Sequence, residues 1–147
     1  MNTPMSDHLF TYGTLHPGHA PDEIAPAVEK LRPVGKGFVH GVLYDLGDYP
    51  GAVLDPSSKR RISGTVFRLP EDADVLRQLD QYEGFNPDAP EKSLFIRTRH
   101  PVVLASGRTL ECWIYVYNGR PEDARILPSG RYRKKQFGTE METDSPG

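Results

Sequence analysis

The chain has 147 residues, a formal net charge of −2 and a pI of about 6.2, which fits one domain with a real core and argues against a nucleic-acid binder. No apolar run approaches the roughly 20 residues that a membrane-spanning helix needs, and the polar start lacks a signal-peptide core, so no membrane is expected. The single cysteine, Cys112, excludes an internal disulfide and fits a reducing, cytoplasmic setting.

In chain order, residues 1–7 are polar and read as a loose terminus. A β-rich run at 8–12 leads into Tyr12-Gly13-Thr14-Leu15. Gly13 permits a positive φ there and removes the Cβ that would keep a ligand from the backbone. Successive N–H groups in such a turn form an anion-binding concavity. An ordinary strand-to-loop turn is the plainer alternative. His16 and His19 follow as H-x-x-H, but with no third ligand nearby they make no convincing zinc site. Residues 21–31 form a weak helix candidate, divided by Pro26.

Strand candidates follow at 37–45, 52–54 and 62–69, bounded by Gly or Pro. The basic run Lys59-Arg60-Arg61 between two of them reads as a solvated loop. Pro70-Glu71-Asp72 opens a helix, with acids in its first turn. Val75, Leu76, Leu79 and Tyr82 then share one face, and Gly84 ends the element.

Glu83 stands at the C-terminal end of that helix, where the helix dipole disfavours a negative charge. Tyr82 and Phe85 flank it. An apolar pocket there would raise its pKa and make it a better base near neutral pH. A solvated carboxylate is the structural alternative. Asp80 is one helical turn earlier and is expected to face water.

A polar, Pro-bearing stretch at 86–92 has the composition of a lid. The last strand candidates are 94–104 and 109–117, joined at Ser106-Gly107 as a hairpin. Pro101 demands an edge or a bulge. On the last strand Cys112 shares a face with Leu110, Ile114 and Val116, and reads as core rather than nucleophile. Trp113, Tyr115 and Tyr117 form the opposite stripe, which packs against a helix or lines a pocket. Scattered serines lack a base pattern for a triad. The sum is one α+β domain over 8–137: a small mixed β-barrel with flanking helices, ending in a loose terminus at 138–147.

These segments also carry a resemblance. Tyr12-Gly13-Thr14-Leu15 with Gly18, the run from Gly41 to Pro50, Ile62-Ser63-Gly64-Thr65-Val66-Phe67, Leu79-Asp80-Gln81-Tyr82-Glu83-Gly84 and Tyr115-Val116-Tyr117 occur in a specific order. The chain resembles the gamma-glutamyl cyclotransferase-like proteins, in their γ-glutamylamine and plant avirulence-induced-gene-like branch. The resemblance implies conversion of a γ-glutamyl amine or γ-glutamyl amino acid to 5-oxoproline and free amine. It implies Glu83 as general acid/base and the backbone of Tyr12, Gly13, Thr14 and Leu15 as the substrate cradle; Tyr115 is a candidate substrate contact from the aromatic stripe, not from the resemblance. The resemblance implies neither metal nor cofactor, and a monomer or weak dimer that takes a small-molecule γ-glutamyl substrate. A non-catalytic member binding an amino-acid-like ligand is the alternative. The sequence departs from the family at Phe95, two residues before Arg97, where members often carry Tyr. Without that phenol the leaving side lacks a polar anchor, so tolerance toward the amine is expected.

Overall fold

The computed structural model describes residues 7–13, 15, 20–47, 49–121 and 124–131. The terminal segments expected to be loose, apart from Asp7, and the H-x-x-H histidines lie outside them, as do 132–137 at the end of the expected domain.

Strand β1 (His8–Thr11) runs into the turn at Gly13, and a short helix α1 (Ala25–Val28) follows. Pro26 lies in the first turn of α1, where a missing N–H costs nothing, so it starts the helix rather than dividing one. The long strand β2 (Arg32–Asp45) begins earlier than the sequence suggests and is followed by β3 (Pro50–Leu54) and β4 (Arg61–Arg68). Helix α2 (Ala73–Glu83) opens on Asp72, whose side chain accepts from the Asp74 N–H at 2.9 Å. It closes on Gly84 at φ 77°, a left-handed cap that a side chain would strain. Strands β5 (Phe95–Leu104) and β6 (Thr109–Tyr117) form a hairpin, with Gly107 at φ 96° in the turn. A two-residue strand, β7 (Arg125–Ile126), was not legible in the sequence.

The strands pair as β2-β4-β1-β6-β5, and β5 returns to β2 at Gly37↔Leu104 and Phe38↔Val103. The result is a closed five-stranded barrel, mixed because β1 and β6 run parallel. The second half of β2 leaves the barrel and pairs with β3 and β7. Closure depends on small residues. Gly37 faces Gly64 across β2 and β4, and a Cβ on Gly64 would fall 2.2 Å from the Thr11 carbonyl oxygen. Pro101 keeps register with Glu111 on β6, while the pairing of β5 with β2 starts only at Val103. Its missing N–H therefore falls on an open edge.

Period-2 alternation sorts the side chains into two cores. Phe10, Val39, Leu43, Ile62, Val66, Val102, Cys112 and Ile114 fill the barrel, so Cys112 is core as expected. Leu9, Phe67, Val75, Leu79, Phe95 and Tyr115 pack outside it, together with Ile24 and Val28 of α1. The stripe of Trp113, Tyr115 and Tyr117 belongs to this outer core. No helix among the described residues is long and apolar enough to cross a membrane.

Candidate active site

A cavity of about 390 Å³ opens where the end of β1, the end of α2, the start of β3 and the β5–β6 hairpin meet. Its walls include Thr11, Tyr12, Gly13, Leu15, Tyr49, Pro50, Glu83, Leu94, Phe95 and Tyr115. Tyr12, Gly13 and Leu15 thus share one cavity with Glu83 across about 70 residues of chain. Thr14 lies outside the described residues.

Glu83 is the last residue of α2 and is half-buried. Burial pushes its carboxyl up from the ordinary 4.5 to about 7, because a charge removed from water is disfavoured. Tyr12 and Tyr115 are also raised, chiefly by burial, and in both the Glu83 charge adds to the rise. Both phenols therefore remain protonated at neutral pH.

The position of Glu83 depends on its neighbour one turn back. Asp80 does not face water: it is only 6% exposed. Arg97 and Tyr115 are directly opposed on β5 and β6, so both reach the same carboxylate. Arg97 donates through Nε to Oδ1 at 2.7 Å and through Nη2 to Oδ2 at 3.0 Å. The Tyr115 phenol donates to Oδ1 at 2.7 Å. The guanidinium also lies 4.2 Å from the Trp113 ring centroid, a cation–π contact. This bidentate, buried cluster pins the last turn of α2 to the barrel wall. The Leu94 N–H donates to the Gly84 carbonyl at 3.1 Å and ties the helix end to β5. Sequence reasoning missed the cluster. Its only local signal was an Asp three residues before Glu83, and the cation that buries it comes from a strand.

The Tyr12 hydroxyl donates to the Tyr115 carbonyl at 2.5 Å and accepts from the Ala52 N–H at 3.3 Å. It bridges β6 and β3 across the cavity floor. Tyr12 and Tyr115 therefore border the cavity with rings whose hydroxyls are already engaged. Gly13 differs from expectation. It is not among the glycines at positive φ. The absent side chain matters because a Cβ would come 3.3 Å from Pro50 Cγ, so Gly lets the turn close against β3. Thr11 Oγ1 is buried beside the cavity and has no hydrogen-bond partner among the described residues.

The segment 86–92, whose composition suggests a lid, is tied down by local hydrogen bonds in this structure. Ser93 Oγ accepts from the Asn86 N–H at 2.8 Å, and Asn118 Nδ2 donates to the Ser93 carbonyl at 2.8 Å. None of residues 86–93 borders the cavity.

The sequence and the barrel fold match known proteins. Residues 9–134 match the family described as gamma-glutamyl cyclotransferase, AIG2-like. The chain belongs to that family. Its fold is similar to that of an AIG2-like protein from Mus musculus, with a TM-score of 0.66 and 23% identity over 86% of this chain and 87% of that one. It is also similar to YkqA from Bacillus subtilis, with a TM-score of 0.64 and 22% identity over 87% of this chain. This chain spans only 40% of the length of YkqA. YtfP from Escherichia coli gives a TM-score of 0.58 at 22% identity, covering 85% of this chain and 95% of that protein. The sequence comparison with curated proteins yields no match.

Proposed function

We propose that this chain converts γ-glutamyl amines or γ-glutamyl amino acids to 5-oxoproline and a free amine, with Glu83 as general acid/base. The observation that supports this reading is the juxtaposition of Glu83, held near pKa 7 by burial, with Tyr12, Gly13 and Leu15 in one cavity. A base poised at the working pH gives the best compromise between correct protonation and proton-transfer driving force.

In this mechanism the glutamyl α-carboxylate or the developing oxyanion lies against the turn backbone. Glu83 removes a proton from the α-ammonium. The α-nitrogen attacks the γ-carbonyl carbon, a C–N bond forms, and the five-membered ring closes. Collapse of the tetrahedral intermediate breaks the bond to the leaving nitrogen, to which Glu83 returns a proton. The lactam keeps one of the three ammonium protons. The other two finish on the released amine, so atoms and charge balance. Nucleophile and electrophile are tethered, which removes the entropic cost of bringing them together. Tyr12 and Tyr115 shape the cavity through their rings, and the protein works as a monomer or weak dimer in the cytoplasm.

The test is a panel of γ-glutamyl compounds assayed for 5-oxoproline. Release by the parent protein and its loss in Glu83→Gln is the expected result. No release from any member of the panel, with the protein folded, overturns the reading.

A further inference from the structure

The cavity walls are chemically divided. Glu83 and Thr11 line the cavity together with Tyr12, Gly13 and Leu15 of the glycine turn. Pro21, Tyr49, Pro50, Leu94 and Phe95 form an apolar face, and no Lys, Arg or His stands among the described lining residues. Arg97, behind the wall, is committed to Asp80. The apolar face continues into solvent. Tyr49 is 37% exposed and Leu94 is 44% exposed, and only Val34 joins them as exposed large hydrophobics among the described residues. A single exposed apolar side chain is ordinary, but these two border one cavity. Phe95 links them, standing next to Leu94 in the chain and edge-on to Tyr49 at 5.8 Å between centroids. Backbone hydrogen bonds hold Leu94 at both ends, from its N–H to the Gly84 carbonyl and from the Asn118 N–H to its own carbonyl. Its side chain stays in the open although its backbone is fixed.

We infer that the leaving amine carries an aryl or branched-alkyl substituent that covers Tyr49, Leu94 and Phe95, in preference to one that ends in a carboxylate. This inference rests on the cyclotransferase reading and narrows it. The glutamyl unit must curl at Glu83 to cyclise, so the substituent on the leaving nitrogen extends toward the open mouth. There an apolar group removes apolar surface from water. A carboxylate there covers no apolar surface, and no described lining residue is a Lys, Arg or His that would draw it. The absence of a phenol at Phe95 therefore does not make the site tolerant. It completes an apolar wall.

The experiment compares kcat/KM for γ-glutamyl methylamide, isobutylamide, benzylamide and γ-glutamylglycine, read as 5-oxoproline release. Each methylene that becomes buried is worth about fourfold, so benzylamide and isobutylamide should exceed methylamide by more than about tenfold, and γ-glutamylglycine should fall below all three. Leu94→Ser should reduce the benzylamide-to-methylamide ratio about fivefold, again from lost apolar burial. Leu94→Lys should raise γ-glutamylglycine relative to benzylamide, because it removes apolar surface and adds a cation at the mouth. Equal kcat/KM across the neutral amides, a preference for γ-glutamylglycine, or ratios unmoved by both substitutions would overturn the inference and leave the cyclotransferase reading standing. No 5-oxoproline from any compound would overturn that reading, and the inference with it.

Discussion

Glu83→Gln tests both the chemistry and its energetic cost. The amide matches the carboxyl in shape but carries no charge and takes no proton. In the parent, burial lifts the Glu83 pKa from 4.5 to about 7. At 1.36 kcal/mol per pH unit that is a preference of roughly 3 kcal/mol for the neutral form, an upper value because the side chain keeps some contact with water. A folded-state pKa above the unfolded one means that the native state holds its proton more tightly. Stability from this group is fully present below pH 4.5 and is lost as pH rises through 7. The substitution should therefore leave stability unchanged at pH 4 and raise it at pH 8 by about 1–3 kcal/mol. For a chain of this size that is several degrees in Tm. Turnover should move the other way. The parent's kcat/KM should climb through an apparent pKa near 7, since only the carboxylate accepts the proton. Glu83→Gln should lose about 10²–10⁴-fold at pH 8, a gap that narrows as acid protonates the parent's carboxylate. Thermal melts at pH 4, 6 and 8, run beside a 5-oxoproline assay, measure both effects. A variant destabilised at pH 8, or a parent with a flat acid limb between pH 5 and 7, would refute the burial argument.

Four further outcomes follow from the geometry. Arg97→Leu removes the bidentate partner of a buried Asp80 and should cost about 3–5 kcal/mol in urea unfolding; a loss below about 1 kcal/mol would show that water takes the place of the guanidinium. Tyr12→Phe strands the Ala52 N–H and the Tyr115 carbonyl, with an expected loss of about 1–3 kcal/mol by the same measurement. Gly64→Ala places a Cβ 2.2 Å from the Thr11 carbonyl oxygen and should cost about 1–3 kcal/mol or more, while a neutral result would mean that the barrel wall gives way cheaply. Acetylating the α-amine of a γ-glutamyl substrate removes the nucleophile, so mass spectrometry should find no cyclised product; its appearance would exclude attack by that nitrogen.

Much of the barrel was legible along the chain because strand periodicity is local. Leu9 and Phe10 already announce two faces, and Gly107 between two β-rich runs announces a hairpin. Glu83 was conspicuous because a carboxylate at a helix C-terminus needs a reason, and Tyr12-Gly13-Thr14-Leu15 because glycine breaks a strand there. Other features depend on partners distant in sequence. Asp80 reads as a surface acid until β5 and β6 set Arg97 and Tyr115 side by side above it. Gly13 reads as a conformational glycine until β3 brings Pro50 against it. Pro26 reads as a breaker until the helix begins just before it. Phe95 reads as a lost hydroxyl until Tyr49 and Leu94 join it in one wall. Local sequence sets backbone propensity and the alternation of faces. Burial, charge pairing and close approach belong to pairs of residues, and barrel closure alone decides which pairs meet.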